Sequence, residues 1–138
     1  MSQKTVLLVD DEPAFLEALE DALVSVGIRV LKARDVTTAL DILAREKIDL
    51  ITIDVMLSPG AKLQNQVDAQ QAGVYLCERV SHEYPHLPAF CLSVVNNEGT
   101  IRRIQDFGVR FLRKGETPLR TVLGIIQGKL KGVGFDAR

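Results

Sequence analysis

The chain has no tryptophan, two cysteines and two histidines among its 138 residues, and aromatic side chains make up 5% of it. Each scarcity narrows the possible chemistry. Cys77 and Cys91 are far apart and lack metal-ligand spacing, so they read as two buried, reduced thiols, one in a helix and one in a strand. His82 and His86 sit in the run Ser81-His82-Glu83-Tyr84-Pro85-His86. Two histidines fall short of the three or four ligands a tetrahedral metal site needs. The net charge is −1, so no global field recruits nucleic acid or an anionic membrane. No apolar run approaches the ~20 residues needed to span a bilayer, and no basic-then-apolar leader opens the chain. The expectation is a cytoplasmic protein that binds neither nucleic acid nor membrane.

What is present is an ordinary globular composition. Hydrophobic residues make up 46% and charged residues 25%, which argues against disorder. A chain of this length is most simply one domain, and one of about 150 residues buries roughly 70% of its unfolded surface. No internal repeat or linker is visible.

Five apolar runs read as strands, each ending in or followed by polar residues. Lys4 to Val9 leads into Asp10, Asp11 and Glu12. Ile28 to Ala33 is short. Ile48-Asp49-Leu50-Ile51-Thr52-Ile53-Asp54 ends in a carboxylate. Leu87 to Ser93 ends in a hydroxyl, and Val109 to Arg113 is followed by Lys114. Apolar runs rich in β-branched residues suit strands covered on both faces.

Between the strands, Phe15, Leu19, Ala22, Leu23 and Val26 recur at three- and four-residue steps, with Pro13 at the helix start and Gly27 at its end. Asp35 is placed to cap a second helix carrying Ala39, Leu40, Ile42 and Leu43. Leu76 and Val80 mark a third helix. Ile101, Ile104 and Phe107 mark a fourth, stopped by Gly108. A fifth opens at Thr117-Pro118 and buries Leu119, Val122, Leu123, Ile126 and Leu130. Residues 132–138 are expected to form a frayed tail after a domain spanning 1–131.

Strand and helix alternate five times, so the sheet should be parallel and doubly wound. In such a sheet the carboxyl ends of the strands share one edge, which gathers Asp10, Asp11, Asp54, Ser93 and Lys114. Three carboxylates repel one another and call for a cation. Oxygen ligands without His or Cys favour a hard ion, and magnesium suits a few carboxylates plus phosphate. A lysine and a hydroxyl complement phosphoryl oxygens, and Asp54 can attack phosphorus to form an acyl phosphate.

These motifs, in this order, resemble the receiver domain of bacterial two-component response regulators, from Val6 to about Leu130. The resemblance is carried by Val9-Asp10-Asp11-Glu12-Pro13, by Asp54 followed by Pro59, by Ser93, and by Phe111-Leu112-Arg113-Lys114. It implies a flavodoxin-like five-stranded parallel sheet of order 2-1-3-4-5 with five helices. It also implies roles. Asp11 would be the chief magnesium ligand, helped by Asp10, Asp54 and the backbone carbonyl of Met56. Asp54 would accept phosphate from a histidine kinase or phosphotransfer protein. Ser93 and Lys114 would bind phosphoryl oxygens. Ser93 and Phe111 would form the switch that reshapes helix four, strand five and helix five for a downstream protein target. The chain would be a signalling protein that assists its own phosphorylation and dephosphorylation rather than an enzyme on other substrates, and a monomer or weak homodimer.

Three departures from the family pattern stand out. Gly115 follows the lysine where proline, often cis, is usual; a cis bond before a non-proline residue costs about 2.5–4 kcal/mol, so a trans bond is expected. Val94 follows Ser93 where a small residue is usual. Pro59 lies one position late, and the glycine before helix three matches Gly73, leaving an insertion of roughly ten residues near Ala61 to Gln71. That insertion is either a solvated loop or a segment that folds over the site or meets a partner; Asp68 and Gln71 have capping-box spacing, which would start helix three near Ala69. The alternative function is a receiver-like binding module that switches without phosphorylation. A phosphohydrolase would commonly carry a second acid two residues after the nucleophile, where this chain has Met56.

Overall fold

The computed structural model describes residues 3–61, 63 and 71–135, with side chains described as far as 131. Among the described residues the elements alternate: β1 (Thr5–Val9), α1 (Pro13–Ser25), β2 (Arg29–Ala33), α2 (Val36–Arg45), β3 (Leu50–Ile53), α3 (Ala72–Glu83), β4 (Ala89–Ser93), α4 (Glu98–Asp106), β5 (Arg110–Arg113) and α5 (Leu119–Phe135). The strands form one parallel sheet in the order β2-β1-β3-β4-β5, the flavodoxin-like arrangement expected.

Side-chain alternation along each strand divides the core in two. Leu7, Val9, Ile51, Ile53 and Cys91 face α2, α3 and α4. Val6, Leu8, Leu50, Phe90, Leu92 and Leu112 face α1 and α5. Leu19 and Leu23 of α1 and Ile126 of α5 are fully buried; each such side chain contributes about 1.5–3 kcal/mol relative to leaving it exposed.

The helix ends follow local chemistry. The Asp35 carboxylate accepts from the Thr38 amide at 2.7 Å and caps α2. Asn97 caps α4 through the Thr100 amide, and Pro13 opens α1. Two other ends differ from expectation. Pro118 stands just before α5, its carbonyl accepting the first helical bond from Val122. At the other end, α5 runs on to Phe135, past the domain end expected at residue 131.

Of the inserted stretch, Ala61, Leu63 and Gln71 are described. The Asp68 cap and a helix start near Ala69 lie outside the described residues. Among the described residues no helix is long and apolar enough to cross a membrane.

Candidate functional site

The strand order reverses between β1 and β3, and there the crevice of a doubly wound sheet opens. Register pairs Val9 with Ile53, so the next residues, Asp10 and Asp54, stand side by side at the carboxyl edge. The backbone holds them there. The Asp10 amide donates to the Ala33 carbonyl (3.1 Å) and the Asp54 amide to the Val9 carbonyl (3.0 Å). Each carboxylate also folds back on its own turn: Asp10 Oδ1 accepts from the Glu12 amide (2.9 Å) and Asp54 Oδ1 from the Met56 amide (3.1 Å). Both acids are buried, whereas Asp11 is exposed.

Lys114 reaches into this cluster from β5. Its amide donates to the Ser93 carbonyl (2.9 Å), which seats the lysine beside β4. Its Nζ lies 2.7 Å from Asp10 Oδ2, 2.9 Å from Glu12 Oε1 and 3.3 Å from Asp54 Oδ2. Burial alone would lower the lysine pKa, but the hydrogen bonds to Asp10 and Glu12 and the charges of Asp54 and Asp10 outweigh it, and the net shift is upward. Asp10 is pushed above the usual carboxylate value. Burial is the chief cause and Asp54's charge adds to it, against the opposing hydrogen bonds from Lys114 and the Glu12 amide. The ring of Phe15, in the first turn of α1, lies under the ammonium with its centroid 4.4 Å from Nζ.

One oxygen from each of Asp10, Asp11 and Asp54 lies within 4.8 Å of the others. The donors are all carboxylate oxygens, with no imidazole or thiolate among them. That set fits a small hard cation such as magnesium. Met56 is 50% exposed, with its amide turned to Asp54.

Ser93 is fully buried, and its Oγ accepts from the Val95 amide at 3.3 Å. Phe111 is half-buried against the α2–α4 side of the core and pairs in register with Cys91, two residues before Ser93. Ser93 and Phe111 therefore share a sheet face. Arg113 links the two regions: its guanidinium lies 5.6 Å from the Phe111 ring centroid and donates to the Val95 carbonyl (3.0 Å) and to Asn96. Val94, at the rim, is 60% exposed.

The departures in the two neighbouring loops have structural answers. No peptide bond among the described residues is cis, and Gly115 has φ +88°, a conformation proline cannot adopt. Gly73 packs on the chain just after β3: its amide donates to the Val55 carbonyl (3.1 Å), and a Cβ there would land on the Asp54 carbonyl oxygen and Val55 Cα. The entrance to the insertion is tied to α2. The Ser58 carbonyl accepts from the Val36 amide and the Pro59 carbonyl from the Thr37 amide, both at 3.1 Å, while Leu63 packs near Thr37 and Leu40.

Sequence reasoning passed over Glu12, Phe15 and Arg113. It also missed that Cys77 and Cys91 meet. Both are free and buried, and the hydrogen bond between the thiols, then burial, push Cys91 well above the usual thiol range.

Such a doubly wound parallel sheet, with a carboxylate cluster and a lysine at its switch point, has known relatives. The chain belongs to the response regulator receiver domain family, whose model matches residues 6–121. It is 30% identical over 115 residues to the response regulator protein PilR of Pseudomonas aeruginosa, covering 83% of this chain and 23% of that protein. It is 30% identical over 125 residues to the response regulator GtcR of Aneurinibacillus migulanus, covering 88% of this chain and 46% of that protein. The chain thus spans less than half the length of either relative. In solved structures the same fold recurs in a CheY-like receiver domain protein from Methanospirillum hungatei JF-1, with TM-score 0.83 at 21% identity over 98% of this chain and 99% of that one.

Proposed function

We propose that this receiver domain accepts a phosphoryl group on Asp54 from a histidine kinase or phosphotransfer protein and so switches a protein-interaction surface. The observation that carries the reading is Lys114 Nζ bonded to both Asp10 and Asp54, beside Asp11, at the switch point of the sheet.

Asp10, Asp11 and Asp54, with the backbone carbonyl of Met56, would hold magnesium, which when bound offsets the charge that develops on the phosphoryl oxygens. An Asp54 oxygen attacks the phosphorus of the donor's phosphohistidine. The phosphorus–nitrogen bond breaks, its electron pair stays on the imidazole, which takes up a proton, and an acyl phosphate remains on Asp54. Lys114 and the Ser93 hydroxyl bind oxygens of the transferred group.

The new group adds about −1.5 to −2 charges. Ser93 turns toward it and Phe111 fills the space left, which reshapes α4, β5 and α5 for a downstream protein target. The shared sheet face of Ser93 and Phe111 supports this coupling, and Arg113 links the Phe111 ring to Val95 and Asn96 in the loop after Ser93. The protein assists its own phosphorylation and dephosphorylation, and acts in the cytoplasm without contacting nucleic acid or membrane.

The test is incubation with magnesium and acetyl phosphate, followed by intact mass and an NMR spectrum with beryllofluoride. The expected result is one added phosphoryl group and a shifted spectrum, both abolished by Asp54→Asn. No response to either reagent or to any kinase would instead point to a binding module that switches without phosphate.

A further inference from the structure

From its contact with the lysine we infer that Phe15 is a positioning residue for Lys114, its ring holding the ammonium over the carboxylate cluster. The inference rests on the acceptor reading of Asp54 given above.

Lys114 carries its charge on a long, flexible stem, and something must hold the far end in place. The backbone after it offers little. Gly115 turns the chain at φ +88°, with nothing within 4 Å of where a Cβ would stand. The other contacts of Nζ are ionic: Asp10, Glu12 and Asp54. Two of those three belong to the cluster that would hold magnesium, so their oxygens are contested once a cation enters. The ring is different. It attracts the ammonium through its electron-rich face and takes no oxygen from the cluster.

Phe15 is itself fixed from below. It lies in the first turn of α1, half-buried and packed against the apolar core between α1, α5 and the sheet. Pro13 and the bond from the Leu16 amide to the Glu12 carbonyl (3.1 Å) set that turn. The ring therefore gives the lysine a rigid, non-competing seat, and Glu12 at 2.9 Å closes one side of it.

Phe15→Leu keeps apolar bulk and removes the ring; Phe15→Tyr keeps the ring. The rate of labelling by acetyl phosphate should fall about threefold to thirtyfold in Phe15→Leu, the loss of one cation–π contact, and remain near the parent in Phe15→Tyr. In a Lys114→Ala background Phe15→Leu should have no further effect. A second readout is independent of phosphorylation: the ε-methylene protons of Lys114 should resonate upfield from the ring current, and should lose that displacement in Phe15→Leu. A Leu variant labelled as fast as the parent, or slowed equally without Lys114, overturns the role of Phe15 alone. An unlabelled parent overturns the acceptor reading and this role with it. A Lys114 signal without upfield displacement in the parent overturns the contact itself.

Discussion

The two loops beside Asp54 are held by different physics. On the β3–α3 side the grip is steric and made of backbone: Gly73 lies against the Asp54 carbonyl and Val55, while Ser58 and Pro59 lend their carbonyls to the first amides of α2. On the β1 and β5 side the grip is ionic, one lysine among three carboxylates, and the glycine after it stands in open space. Shape sets where Asp54 sits; charge sets what surrounds it. The first should be insensitive to pH and indifferent to added cations. The second should respond to both.

The largest effect expected from a single substitution is at Gly73. Ala there forces backbone of β3 and α3 apart and should cost about 3 kcal/mol, measured by urea unfolding and unchanged by magnesium. A Gly73→Ala protein as stable as the parent would show that the steric side has slack. Gly115 comes next. Ala at φ +88° should cost about 1–2 kcal/mol, and Gly115→Pro, which supplies the residue usual in the family, should cost more, because its ring cannot reach that φ. A stabilised Gly115→Pro would mean that the loop adopts the family's other conformation at little cost.

The smallest effect carries the clearest signature of charge. Asp10 has its pKa raised by burial and by Asp54's charge despite its bonds to Lys114 and Glu12. The folded state thus binds that proton more tightly than the unfolded chain. The stabilisation is complete below the ordinary carboxylate value and is lost as pH rises through the higher folded one. Asp10→Asn is neutral throughout and escapes the loss. In chelator its melting temperature should exceed the parent's at neutral pH, with the gap closing as the solution is acidified. A gap of equal size at every pH would assign the difference to packing.

Much of this was legible in the sequence, for a physical reason. Each strand ends in or is followed by a polar residue, so the alternation that gives a doubly wound sheet also places Asp10, Asp11, Asp54, Ser93 and Lys114 on one edge. Strand starts were less legible: β3 begins at Leu50 and β4 at Ala89, because Ile48 and Leu87 continue the apolar pattern without continuing the pairing. Helical spacing places Phe15 on the core face of α1, and it packs there half-buried; nothing in that spacing separates a ring packed on the core from one that also faces a distant lysine. The ties from Ser58 and Pro59 to α2 use main-chain carbonyls, which every residue carries, so no residue type announces them. Glu12 looked like the tail of an acidic run, and only the reach of Lys114 gives it a partner.

Lys114 and Asp10 are 104 residues apart in the chain. Closing a loop of that length is opposed by more entropy than closing the shorter one between β1 and β3, by an amount that grows slowly with length. β1 and β3 can therefore pair, and bring Asp10 and Asp54 together, before β5 docks at the sheet edge with their lysine. During that interval the carboxylates crowd one another without an internal counter-charge. The late arrival of Lys114 should make the folding rate rise with dissolved cations, even where the finished protein is comfortable without them.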